Sequence, residues 1–113
     1  MHEVSIMQSA LEAAERHALE QGATRIHRIV LRIGAESGVV PDALEFAFGP
    51  VTEGTMADGA ALEILRVPAV CFCRTCESEF QPDDIIHFCP DCGAPALEML
   101  QGTEMELASL EVS

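Results

Sequence analysis

The chain has 113 residues, 49% of them apolar but only 4% aromatic, with neither tryptophan nor tyrosine. This suits one compact unit with a small appended module, its core built from Leu, Ile, Val, Ala and five Phe, and a domain so small gains from a metal staple. Six Lys+Arg against nineteen Asp+Glu give a formal charge of −13, which excludes nucleic acid and anionic membranes as natural partners, because both are bound through Lys and Arg.

The opening MHEVSIMQSA lacks the basic region of a secretion leader, and the segment continues through Glu12, Glu15, Arg16 and Glu20. No apolar run is long enough to cross a bilayer. A cytoplasmic chain is expected. In that reducing compartment its five cysteines read as metal ligands before disulfides.

Residues 3–22 predict an amphipathic helix. Val4, Met7, Leu11, Ala14 and Ala18 form its apolar stripe, opposite Glu12, Arg16 and Glu20. Gly22 is placed to end it. Residues 25–33, RIHRIVLRI, predict a strand with Ile29, Leu31 and Ile33 on one face and Arg28 and Arg32 on the other. Gly34 and Gly38 punctuate a loop. Pro41 and Asp42 suit the first turn of a second helix, whose apolar content is Ala43, Leu44, Phe46, Ala47 and Phe48. Gly49-Pro50 is expected to kink or end it, since Pro50 has no N–H to donate. Gly54 and Gly59 mark turns.

Residues 61–67, ALEILRV, predict a second strand. Residues 104–112, EMELASLEV, predict a third, with Met105, Leu107, Ser109 and Glu111 opposite Glu106, Ala108, Leu110 and Val112. The intervening segment is rich in Cys, Pro and Asp and reads as an insert. The expected division is 69–97 for the inserted module, against 1–68 with 98–113 for the surrounding α+β domain.

The strongest chemical signal is Cys73-x-x-Cys76 and Cys89-Pro-Asp-Cys92-Gly93, with twelve residues between the pairs. Zinc takes four tetrahedral donors, and a two-residue spacer lets a tight turn aim both thiolates of a pair at one ion. Pro90 and Gly93 suit such a turn. Protein fills all four positions, so the metal is expected to be structural. A redox Cys-x-x-Cys is a competing reading, but it would need one pair to open a helix. Rubredoxin-like iron takes the same ligands, while the tetrahedral four-sulfur preference favours zinc. Cys71 reads as a buried apolar filler. His87 reads as an exposed strand residue or a hydrogen-bond donor behind the ligands.

Met1-His2-Glu3 offers a second donor set. The α-amine, the peptide nitrogen of His2 and its imidazole can close adjoining chelate rings, a nitrogen-rich planar arrangement suited to Ni(II) or Cu(II). The Glu3 backbone nitrogen or an outside ligand can supply a fourth donor. A cation there meets the unfavourable end of the helix dipole, which deprotonated backbone nitrogens and the acidic surface would offset. His17 and His27 read as surface or boundary residues.

The whole pattern resembles the HypA/HybF family of hydrogenase nickel-incorporation proteins. The resemblance runs through MHEVSIMQSALEAAE, RIGAESGVVPDALEFAF and TEGTMADGAALEI, then CRTC and CPDCG, and closes on GTEMELASLEV. It implies an α+β nickel-binding domain, two helices on a three-stranded sheet, with a four-cysteine zinc-ribbon module inserted before the last strand. Nickel donors carry over to Met1, His2 and Glu3, and zinc ligands to Cys73, Cys76, Cys89 and Cys92. The resemblance further implies a nickel metallochaperone that works with a HypB-like GTPase to load the large subunit of [NiFe] hydrogenase; some members feed urease maturation proteins. Two other readings are weighed beside it. A zinc-ribbon protein adaptor would bind no nickel. An enzyme would need a catalytic constellation, and the sequence offers neither a phosphate-binding Gly-rich loop nor a Ser/His/Asp arrangement.

Overall fold

The computed structural model describes residues 2–82 and 87–113, with the His2 side chain excepted. In chain order the elements are α1 (His2–Glu20), β1 (Ile26–Gly34), α2 (Pro41–Thr52), β2 (Ala61–Val67), β3 (Val70–Cys73), β4 (Ser78–Phe80), β5 (Glu98–Gln101) and β6 (Met105–Val112). They form an α+β fold with two three-stranded sheets, ordered β2-β1-β6 and β4-β3-β5.

The first sheet is built on β1, its most buried strand. It pairs parallel with β2 and antiparallel with β6. A parallel pair needs a crossover, and α2 supplies it. Both helices lie against one face of the sheet. Met7, Leu11, Ala14 and Ala18 of α1 meet Ile26, Ile29, Leu31 and Ile33 of β1 and Leu44, Ala47 and Phe48 of α2 in one core. Met7, Ile26, Ile29 and Leu44 are fully buried, and each such side chain stabilises the fold by about 1.5–3 kcal/mol relative to an exposed one. On the outer face, Arg28 pairs with Glu63 and Glu111, and Arg32 with Glu106.

Three positions refine the sequence reading locally. Val4 belongs to the periodic stripe of α1, yet it is 46% exposed, and full burial along α1 starts at Met7. Phe46 is 84% exposed, while Leu44, Ala47 and Phe48 take the core positions of α2. Gly49-Pro50 does not end this helix, which runs through Pro50 to Thr52. Pro50 lies in the last turn on an exposed stripe, so only one backbone bond is forfeited and water reaches the orphaned carbonyl. The turn is closed by Thr52, whose hydroxyl donates to the Phe48 carbonyl at 2.7 Å, and by the Glu53 N–H, which donates to the Gly49 carbonyl at 3.1 Å.

The simple alternation expected for β6 is also corrected. Its register against β1 shifts between Val30↔Ser109 and Leu31↔Leu107, leaving Ala108 as the extra residue of a bulge. One extra residue inverts the faces. Leu107 therefore joins Leu110 and Val112 against the core, although odd and even positions of a regular strand would separate them.

The second sheet interrupts the chain between β2 and β6. Its strand β5 lies just past residue 97, beyond the expected end of the insert. The two sheets meet where backbones nearly touch. A Cβ on Gly34 would fall 2.1 Å from the Gly102 carbonyl oxygen, and one on Gly102 would fall 2.8 Å from Ala69 Cα. Only residues without a side chain permit this approach, and Gly102 also takes φ +128°. The Glu36 N–H then donates to the Gly102 carbonyl at 2.7 Å, and the Gly34 N–H to the Glu104 carbonyl at 2.8 Å.

Candidate metal centre

Two turns at one end of the second sheet present the cysteine pairs. The first follows β3, which ends on Cys73 opposite Ser78 of β4. A tight turn returns the chain through Glu77 at φ 52°, and the Cys76 N–H donates to Cys73 Sγ at 3.4 Å. The second turn is built alike. The Gly93 N–H donates to the Cys89 carbonyl at 2.8 Å, the Cys89 N–H to the Ala94 carbonyl at 2.9 Å, and Phe88 bridges Pro95. Gly93 takes φ 75°, as its place in the CPDCG motif predicts.

These turns bring Cys73, Cys76, Cys89 and Cys92 together, with all four sulfurs within 4.8 Å of one another. Cys73 Sγ lies 3.6 Å from Cys92 Sγ, and Cys89 Sγ 3.9 Å from Cys76 Sγ. A tetrahedron of zinc–sulfur bonds of about 2.3 Å has edges of about 3.8 Å, so the donor set fits such an ion. No disulfide links the cysteines.

Crowding splits the thiols electrostatically. The Cys76 backbone N–H, aided by neighbouring S–H groups, pulls the Cys73 pKa down to about 7. Cys76, donating toward Cys92 and facing the Cys73 thiolate, is pushed up to about 12. The Cys73 thiolate therefore forms readily, whereas Cys76 ionises only when a cation compensates it. Metal uptake expels protons and strengthens as pH rises through 7.

Cys71 stands apart from the cluster. It is fully buried in β3 opposite Phe80 and Met99, and desolvation, reinforced by Glu36, raises its pKa. It packs as the filler that its position suggests. His87 departs from both alternatives read from its sequence position. It is half-buried, and its Nε2 pairs with both carboxylate oxygens of Glu36 at 2.8 and 3.0 Å. Glu36 follows β1, so this pair ties the cysteine module to the helix-backed sheet. Nothing local to either residue foretells it, since 51 positions separate them.

Of the proposed nickel donors, Met1 and the His2 imidazole lie outside the described residues. The backbone of His2 opens α1. Backbone N–H donors, its own first and that of Val40 beyond it, hold the Glu3 carboxyl below its ordinary range against a smaller opposing effect of burial. This links the first turn of α1 to the residue that caps α2. His17 is exposed, and His27 Nε2 bonds the Ser113 hydroxyl at 2.7 Å. Neither approaches the cysteine cluster.

Among the described residues, no helix is long and apolar enough to cross a membrane. Residues 1–112 match the family model described as hydrogenase/urease nickel incorporation, metallochaperone, hypA. A hydrogenase maturation factor HypA from a Picosynechococcus strain is 47% identical over 112 residues, covering 99% of both chains. One from a Roseiflexus strain is 45% identical, covering 98% of this chain and 91% of its own. In structure the chain is similar to the Ni metallochaperone HypA from Helicobacter pylori, with TM-score 0.68, 29% identity and coverage of 97% and 96%. A second HypA solution structure gives TM-score 0.71 and 30% identity, with coverage of 100% and 97%.

Proposed function

This chain belongs to the HypA family of hydrogenase/urease nickel-incorporation metallochaperones, and from that premise we propose that it carries Ni(II) on its first residues and passes it to the large subunit of [NiFe] hydrogenase. The Met1 amine, the His2 imidazole and backbone nitrogen at His2 or Glu3 form the cargo site. Nitrogen donors in a plane suit Ni(II). An open, terminal site surrenders its ion more readily than a closed one, because an incoming ligand can displace one donor at a time. The single observation that carries the reading is the family match from the first residue to the penultimate one, MHE included.

The four-cysteine cluster has the opposite character. Cys73, Cys76, Cys89 and Cys92 would hold Zn(II) with no position left for water or substrate, so the ion supplies structure and not Lewis acidity. We read residues 69–97, extended through β5, as the zinc module and the remainder as the nickel module. Handover would run with a HypB-like GTPase, in the cytoplasm, with urease maturation proteins as a second destination for the metal. The chain's own part is delivery and not catalysis.

Equilibrium dialysis against Ni(II) tests the cargo site. His2→Ala should abolish stoichiometric nickel binding while zinc content and helix signal persist. Nickel affinity unchanged in that variant removes the assigned site. X-ray absorption at both metal edges should return nitrogen-rich planar nickel and four-sulfur zinc.

A further inference from the structure

The apolar stripe of α1 and the exposed side of α2 leave a groove of about 400 Å³ between them. Val4, Ala43, Phe46, Ala47, Pro50 and Val51 line it, with Glu3 at its rim. It therefore begins one residue after His2. Val4 and Phe46 are both apolar and both exposed, at 46% and 84%. A phenylalanine 84% exposed on a regular helix, beside a second uncovered apolar residue, forms a patch of the kind that marks interaction surfaces.

Charge indicates what covers it. Residues 3–15 and 39–58, which supply both walls, contain seven carboxylates and no Lys, Arg or His. Asp42, Glu45 and Glu53 flank Phe46 along α2 and its C-terminus. Asp42 has one exposed counter-ion, Arg66 at 3.5 Å, which screens it little. Arg28 and Arg32 are spent on the outer face of the sheet against Glu63, Glu111 and Glu106. The walls of the groove are thus apolar at the centre and anionic around it.

We propose that the groove between α1 and α2, centred on Phe46, is the docking site for a protein partner that presents an apolar side chain flanked by Lys or Arg. Such a partner fills the groove with its apolar anchor, and its cations meet the surrounding carboxylates, which steer encounter and fix orientation. Docking here sets the partner against Glu3 and Val4, the residues that follow His2 in the chain. The proposal rests on the metallochaperone reading for its choice of partners to test.

Isothermal titration calorimetry of the full chain against the maturation GTPase, and separately against the hydrogenase large-subunit precursor, tests it. Phe46→Ser removes an exposed side chain and should leave the fold intact by circular dichroism. It should weaken association with at least one of the two by about tenfold or more. Asp42→Asn with Glu45→Gln should lower the same affinity severalfold and flatten its salt dependence. Val4→Ser is an independent second variant and should act in the same direction. Wild-type-like affinity in all three variants overturns the proposal, as does absence of binding by the wild type to either protein. A concentration-dependent dimer of this chain that Phe46→Ser dissolves also overturns it, by making a second copy the occupant. Nickel uptake by the wild type is measured apart from docking. A chain that takes up no nickel yet docks through Phe46 upholds the groove and removes the cargo reading. One that takes up nickel but docks without regard to Phe46 removes the groove alone.

Discussion

The two sheets of this molecule have different sources of cohesion. The helix-backed sheet encloses Met7, Ile26, Ile29 and Leu44 at zero exposure, with a continuous layer of aliphatic neighbours around them. Among the described residues of the second sheet, the buried side chains are Cys71, Cys73 and Cys89, with Ala69 at the junction. Three short strands cannot remove enough apolar surface from water to offset the entropy of ordering them. The first module is held by the hydrophobic effect. The second needs coordination bonds, and its sulfurs are spaced to make them.

The sharpest way to break this contrast is to take away the metal. Structural zinc in small modules contributes about 10–16 kcal/mol of binding free energy at neutral pH, and that energy is folding energy. Cys89→Ser, or a strong chelator, should abolish zinc content and collapse amide protection through β3–β5, while the helical circular dichroism of α1 and α2 persists. Joint loss of both signals would show one cooperative unit instead of two modules.

A cavity in the other module should do the reverse. Leu44→Ala should lower the denaturant stability of the helix-backed sheet by about 2–5 kcal/mol. Zinc stoichiometry at low denaturant should be unchanged. A loss of zinc in that variant would mean that the cysteine cluster depends on the distant core.

The smallest expected effect concerns the tie between the modules. Glu36→Gln keeps an acceptor and drops the charge that faces His87. Its cost should stay under about 1 kcal/mol, because the pair is only partly buried. Hydrogen exchange at the Glu36 amide, which bonds the Gly102 carbonyl, should quicken with zinc still bound. Exchange at the wild-type rate would show that the backbone contacts of Gly34 and Gly102 alone hold the modules together.

Much of the fold was legible in local pattern. The strand centred on Ile29, Leu31 and Ile33 lies in the core as its alternation predicts, and the two cysteine pairs meet as their spacing predicts. The local refinements share a cause. Val4 and Phe46 carry apolar side chains at helical positions, but whether a neighbour covers them depends on how α1 and α2 cross. The bulge at Ala108 is invisible in EMELASLEV, because alternation presumes a register that only pairing with β1 decides. Pro50 obeys its chemistry, yet its cost depends on how near the helix was to ending.

By itself the sequence determined whatever rests on short-range covalent geometry: two Cys-x-x-Cys turns, helix and strand periods, and an acidic balance. Tertiary structure alone decided the Glu36–His87 tie, the glycine contact at the junction and the uncovered groove beside α1. The physical reason is range. Bond lengths and turn chemistry are complete within a few residues, whereas burial and pairing belong to groups that only the folded chain brings together.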